Sequence, residues 1–116
     1  SASLLGIQPS VDLVDDSSVS VTWTQDSRIP DNLAQYYGYT VQYKQESSAG
    51  DFIDGPSVEH DPSKDALTVV IGNFKPYQQN QFRVLPFRTM NDVKDYGQPS
   101  ESVSEEFYKQ CSLGKN

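Results

Sequence analysis

A single tryptophan, Trp23, closes a segment in which Val19, Val21 and Trp23 alternate with Ser18, Ser20 and Thr22. Alternation of this kind places the apolar residues on one face of a strand and leaves the other face in water. The pattern recurs downstream in Gly38-Tyr39-x-Val41-x-Tyr43, in Leu67 with Val69, and in Phe82-x-Val84. One large aromatic residue set among short alternating segments at regular spacing points to a small two-sheet sandwich with Trp23 in its core.

The intervening stretches are rich in turn formers. Asp15-Asp16-Ser17 precedes the Trp23 segment, and Ile7, Val11 and Leu13 before it supply a first strand broken at Pro9. The polar run from Gln25 to Gln35 holds Arg28, Pro30, Asp31 and Asn32 and reads as a long loop. Tyr37 to Lys44 forms the next strand. From Gln45 to Lys64 the chain is loop-rich, with Phe52-Ile53 as a short edge strand, where Gly55 and Pro56 do least harm. Ala66 to Ile71 is a further strand, and the corner Phe74-Lys75-Pro76-Tyr77 leads into another at Gln81 to Met90. Asn91 to Gly97 reads as a loop and Ser102 to Tyr108 as the closing strand. No period of 3.6 is sustained, so the expectation is about seven short strands and no helix.

Composition narrows the chemistry. A chain of 116 residues fits one domain, and a globule of this size buries roughly two thirds of the surface its unfolded chain exposes. The net charge of -7 disfavours nucleic acid and anionic membranes, which select clustered Lys and Arg. No run approaches the ~20 apolar residues of a membrane span, and Ser1-Ala2-Ser3-Leu4-Leu5 lacks the charged region of a signal peptide. Because Ser1-Ala2-Ser3 begins without Met, the sequence reads as a cut from a longer chain rather than an added leader. His60, the only histidine, sits between Glu59 and Asp61 in a segment that reads as exposed loop, and there is no second His or second Cys to complete a zinc site. Asp15-Asp16 and Glu105-Glu106 read as solvated charges rather than calcium ligands, and the glycines have no phosphate-binding spacing. No catalytic residue, metal or cofactor is expected. Cys111 lies beyond the last strand and reads as a free thiol, a link to another chain or a boundary residue.

Taken together, Ser18-Val19-x-Val21-x-Trp23, Gly38-Tyr39-x-Val41-x-Tyr43, Leu67-x-Val69, Phe74-x-Pro76, Phe82-x-Val84 and Gly97-x-Pro99-Ser100 resemble a fibronectin type III domain over almost the whole chain. The resemblance implies an all-β, seven-stranded antiparallel immunoglobulin-like β-sandwich, with three strands facing four. It places a domain at 7–109, with 1–6 as an N-terminal tail and 110–116 as a C-terminal linker. The chain departs from the family pattern at two positions. The usual corner tyrosine is replaced by Asn80, leaving Tyr77 or Asn80 itself to bond the same backbone in a weaker corner. Pro86 falls in mid-strand, where a bulge or early loss of pairing is expected.

Two contact surfaces follow from the strand phase. With Phe82 and Val84 inward, Arg83, Leu85 and Phe87 point outward beside Gln42 and Lys44, as an apolar patch rimmed by cations, unless a bulge at Pro86 turns Leu85 or Phe87 inward. The loops carrying Arg28 and Tyr36, and Asp92, Lys94 and Tyr96, should lie together at one end. The Arg-Gly-Asp tripeptide of integrin-binding relatives and the Trp-Ser-x-Trp-Ser run of cytokine receptors are both missing from the sequence. The resemblance implies a non-catalytic interaction and spacer module of an extracellular, single-pass adhesion or signalling receptor, such as a receptor tyrosine phosphatase, kinase or guidance receptor. Its partner would be a protein or neighbouring domains of the same chain. An intracellular structural array, or an accessory module of a secreted enzyme, are the alternatives.

Overall fold

The computed structural model describes residues 2–107. Cys111, the proposed linker 110–116 and the last residues of the expected domain lie outside them. Eight strands form in chain order: β1 (Ser10–Leu13), β2 (Val19–Thr24), β3 (Tyr37–Gln45), β4 (Ile53–Glu59), β5 (Ala66–Ile71), β6 (Gln79–Met90), β7 (Val93–Tyr96) and β8 (Val103–Glu106). They make two antiparallel sheets. One is ordered β1-β2-β5; the other is ordered β4-β3-β6-β7, with β8 also on β6. The immunoglobulin-like sandwich is therefore as the sequence pattern requires. The eighth strand arises because the closing strand is split, with β8 pairing the first half of β6 and β7 the second.

The alternating residues do what their phase dictates. Val19, Val21 and Trp23 from one sheet meet Tyr39, Val41, Phe82 and Val84 from the other, and all are buried. Trp23 approaches Tyr39 edge-on at 5.7 Å between centroids, while Phe74 stacks on Phe107 at 4.7 Å and closes the opposite end. Burial of this apolar set is the main stabilising contribution, at roughly 1.5–3 kcal/mol for each large side chain.

Pro86 does not break β6 as expected. Its carbonyl accepts the Gly97 N–H at 2.9 Å, so its backbone polar edge faces the closing strand and the missing N–H faces the same way. The β3–β6 ladder therefore runs through Tyr39↔Pro86 without a register shift. The interruption falls instead between β7 and β8, where Ser100 takes over. Its N–H donates to the Val84 carbonyl at 2.9 Å and its Oγ accepts the Val84 N–H at 2.8 Å.

Four further expectations are corrected. The long loop holds a 3-10 helix at Asp31–Tyr36, which buries Ala34. The loop after β6 is a two-residue hairpin turn in which Asn91 and Asp92 both have positive φ, at 52° and 64°, the geometry of tight hairpins. The edge strand β4 extends for seven residues, and its Gly55-Pro56 pair sits at a register shift opposite β3. The segment expected as a tail packs onto the domain: Ala2 and Leu4 are buried, Leu4 joins the core, and Ser3 bridges Gln98 in parallel. At the corner, Tyr77 is exposed with positive φ, and Asn80 is buried with its Nδ2 unpartnered. Neither side chain replaces the missing tyrosine hydroxyl.

Candidate functional site

The end of the sandwich that holds the β2–β3 connection and the β6–β7 hairpin is built on a buried polar cluster. Gln25 follows Trp23 and is itself buried. Its Nε2 donates to the carbonyls of Asp61 and Lys64 at 2.8 and 2.7 Å, and its Oε1 accepts the Asp61 N–H at 2.9 Å. One side chain thus ties the turn before β5 to the end of β2. Beside it, the Asp26 N–H donates to the Tyr39 hydroxyl at 3.0 Å, and that hydroxyl lies 2.7 Å from His60 Nδ1. The donors and acceptors balance when Tyr39 gives its proton to Nδ1 and the imidazole carries its own on Nε2.

His60 is therefore a buried structural residue, 6% exposed, and not the solvated loop histidine expected from its acidic neighbours. Burial pushes its pKa down, against the opposing pull of Asp26, Asp61 and Asp31. The Tyr39 hydroxyl, also buried, is pushed up to about 12. Burial pushes the Asp26 carboxyl up, but hydrogen bonds from the Arg28 side chain and from the amides of Arg28 and Ser3 outweigh it and hold the group below the usual carboxylate range. The Arg28 guanidinium grips Asp26 through Nε and Nη2 at 2.9 and 3.0 Å. Among the described residues, no group of three or more His, Cys, Asp and Glu side chains is placed to hold a metal ion.

Above this cluster the 3-10 helix and the hairpin enclose a groove of about 390 Å³, lined by Leu33, Tyr36, Tyr37, Arg88, Met90 and their neighbours. Its origin is a mismatch in length. Tyr37, Arg88, Met90 and Val93 share the inward phase of their sheet, but β6 and β7 project past the three-stranded sheet that would cover them. The helix covers part of this overhang. Tyr36, Met90 and Val93 remain 46%, 53% and 66% exposed, a concentration of apolar surface of the kind that marks contact sites. Arg88 contributes the groove's cation, 3.6 Å from Asp95.

The structure brings most of the sequence-selected residues together, in two groups. On the outer sheet face, Arg83 Nε donates to Gln42 Oε1 at 2.8 Å, and Gln42 Nε2 donates to Asp54 at 2.9 Å. Arg83 also lies over the Phe52 ring at 4.1 Å, and Lys44 Nζ over the same ring at 5.7 Å. Arg83 and Gln42 thus occupy one another, and Lys44 Nζ donates to the Gly50 carbonyl at 3.2 Å. Leu85 and Phe87 keep the outward phase but are half-buried, and Phe87 packs on Tyr96 and under Lys94, whose Nζ is 4.4 Å from the ring centroid. Tyr36 lies in the groove and Asp92 in the hairpin turn. Arg28 faces a separate hollow with Ala2 and Tyr37.

Leu33, Met90 and Val93 were missed by sequence reasoning. Their signal was the Asn91-Asp92 pair: both residue types tolerate positive φ, so together they mark a tight turn that would have made Met90 and Val93 strand neighbours.

A fibronectin type III domain model matches residues 8–106. No curated protein matches the chain. Among solved structures, the twitchin kinase region from C. elegans aligns with a TM-score of 0.67 at 13% identity, over 97% of this chain and 18% of that one. A myokine structure aligns at 0.62 and 13% identity, over 94% of this chain and 100% of the other. The sensor domain of the anti-sigma factor RsgI4 in Pseudobacteroides cellulosolvens aligns at 0.62 and 14% identity, over 90% and 74%. At such identities these three likenesses speak to the fold alone.

Proposed function

We propose that this chain, which belongs to the fibronectin type III family, is a non-catalytic recognition and spacing domain that contacts its protein partner through the loop-end groove. The observation that carries this reading is the uncovered inward face of the hairpin, where Tyr36 and Met90 stay exposed in the groove and Val93 stays exposed beside Met90. Family members serve as protein-interaction and spacer modules. The outer sheet face is the weaker candidate, because Arg83 is already bonded to Gln42 and lies over Phe52, and Lys44 is bonded to the Gly50 carbonyl beside the same ring. Tyr37, which lines the groove, accepts the His60 N–H at 2.9 Å, so the groove is joined to the buried cluster.

The parent is proposed to be an extracellular modular receptor that presents the groove away from its own membrane anchor. Among the described residues no helix is long and apolar enough to cross a membrane, so the anchor would belong to another part of that chain. The domain would occupy 7–109 together with the packed residues before it. Two measurements test the reading. In the parent transcript, a signal sequence, further sandwiches and one hydrophobic span support the receptor, whereas an uninterrupted array or an adjoining catalytic domain overturns it. Photo-crosslinking from position 90 of the parent protein in its own cells should give a discrete protein adduct, and a product from position 83 alone would move the contact to the sheet face.

A further inference from the structure

Among the described residues, the free edge of β5 differs chemically from those of β1, β4 and β7. β5 ends the three-stranded sheet and reads Ala66-Leu67-Thr68-Val69-Val70-Ile71, six residues with no charge, no Pro and no Gly. Edge strands are ordinarily blunted by charges, Pro, bulges or a covering segment, because their unpaired amides and carbonyls invite another strand. The other edges here carry such guards: Asp12 on β1, the Gly55-Pro56 irregularity with Asp54 and Glu59 on β4, and Lys94 and Asp95 on β7.

The register fixes which groups of β5 are free. The Gln25 N–H donates to the Asp65 carbonyl at 2.9 Å, and the ladder pairs Leu67 with Trp23, Val69 with Val21 and Ile71 with Val19. Antiparallel alternation turns the backbone groups of these residues toward β2 and those of Ala66, Thr68 and Val70 toward the open edge. The side chains of Ala66, Thr68 and Val70 are also exposed, Val70 at 59%. Next to them on the same face lie Ser20, Thr22 and Thr24, so the outer surface of β2 and β5 is uncharged in a chain whose net charge is -7.

We propose that β5 pairs edge to edge with β5 of a second copy of this chain, antiparallel about a two-fold axis through Thr68. In that register Thr68 faces Thr68 of the second copy and Ala66 faces Val70, so the outward-turned residues form three pairs that each exchange two N–H···O bonds. Leu67 faces Val69 on the core side. No like charges meet within the paired segment. This self-complementarity selects a second copy over a foreign strand. The centred registers of β7 would set Lys94 against Lys94 or Asp95 against Asp95, which opposes pairing there. With a net charge of -7, two copies repel on average, and the uncharged face lets them approach without placing like charges together. An interface of one short strand on each side belongs to the small, weak class, below ~1,200 Å² in total. The dimer should therefore populate at high local concentration, as on a crowded surface or in tandem copies.

Sedimentation of the chain up to millimolar concentration, under reductant so that Cys111 does not contribute, should show reversible monomer–dimer association. Thr68→Lys places two ammonium groups opposite each other at the two-fold and should weaken association more than tenfold, while Lys94→Ala leaves it unchanged. Hydrogen exchange on the unmodified chain gives an independent readout that does not depend on any variant folding. The amides of Ala66, Thr68 and Val70 should slow as concentration rises, and those of Lys94 and Tyr96 should not. A chain that stays monomeric throughout, a dimer indifferent to Thr68→Lys, or protection that appears at β7 instead of β5 would overturn the proposal.

Discussion

Replacing Tyr39 with Phe removes one oxygen atom and tests the buried cluster under the loop end directly. The ring stays, with its edge-on contact to Trp23 at 5.7 Å, so little apolar packing is lost. What is lost is the partner of two groups at once: the Asp26 N–H, 3.0 Å from the hydroxyl, and His60 Nδ1, 2.7 Å from it. A buried polar group left unpaired costs about 1–3 kcal/mol. Two groups set an upper bound near 6, and relaxation of the His60 ring reduces it, so about 2–3 kcal/mol is expected. For a domain of this size that lowers Tm by roughly 8–15 °C. Trp23 is the sole tryptophan and is buried against the altered ring, so urea unfolding followed by its fluorescence reports the change. The cluster also has a pH signature. Burial depresses the His60 pKa in the native state, so the native protein resists a proton that the unfolded chain accepts. The stability tied to neutral His60 is complete above about pH 6.5 and declines as pH falls from there toward the lowered native value. His60→Asn should flatten that acid slope. A Tyr39→Phe variant within about 0.5 kcal/mol of the parent protein, where ordinary surface substitutions fall, would refute the view that this hydroxyl holds the loop end together.

Three other substitutions probe separate links. Gln25→Ala leaves the Asp61 amide and the carbonyls of Asp61 and Lys64 without their partner and should cost about 2–4 kcal/mol in chemical denaturation, with faster amide exchange confined first to the turn before β5. Trp23→Ala empties the centre of the core and should cost about 3–5 kcal/mol, enough to unfold many domains of this size outright when followed by circular dichroism. Leu4→Ala should cost about 2–4 kcal/mol in thermal melts, because Leu4 is 1% exposed and belongs to the core; a negligible change would return the first residues to the status of a tail.

The sandwich was legible because its strands bury one face and wet the other, and period-two alternation in residues such as Val19, Val21 and Trp23 records that directly. Leu4 was not legible for the same reason: the segment around it has no alternation, and its burial comes from a tertiary dock in which its amide donates to the Gln98 carbonyl at 3.0 Å. His60 shows the complementary failure. Its sequence neighbours, Glu59 and Asp61, are polar and suggested solvent, yet its position is set by Tyr39, 21 residues away, and no local pattern reports a contact across a sheet.

The groove and the β5 edge were hidden by a subtler cause. Met90 and Val93 obey the inward phase of their strands, and Val70 obeys the outward phase of its own, so each residue taken singly looks ordinary. Their exposure follows from where the neighbouring strands stop. β6, at twelve residues, is twice as long as either β2 or β5 of the facing sheet, and among the described residues β5 has no strand on its far side. Alternation says which way a side chain points; only the lengths and order of the strands say whether anything is there to meet it. An apolar residue in the correct phase beyond the end of its partner sheet is thus left uncovered by the topology. At the hairpin overhang the inward phase meets no cover, and at the β5 edge an outward, uncharged strand meets no neighbour among the described residues.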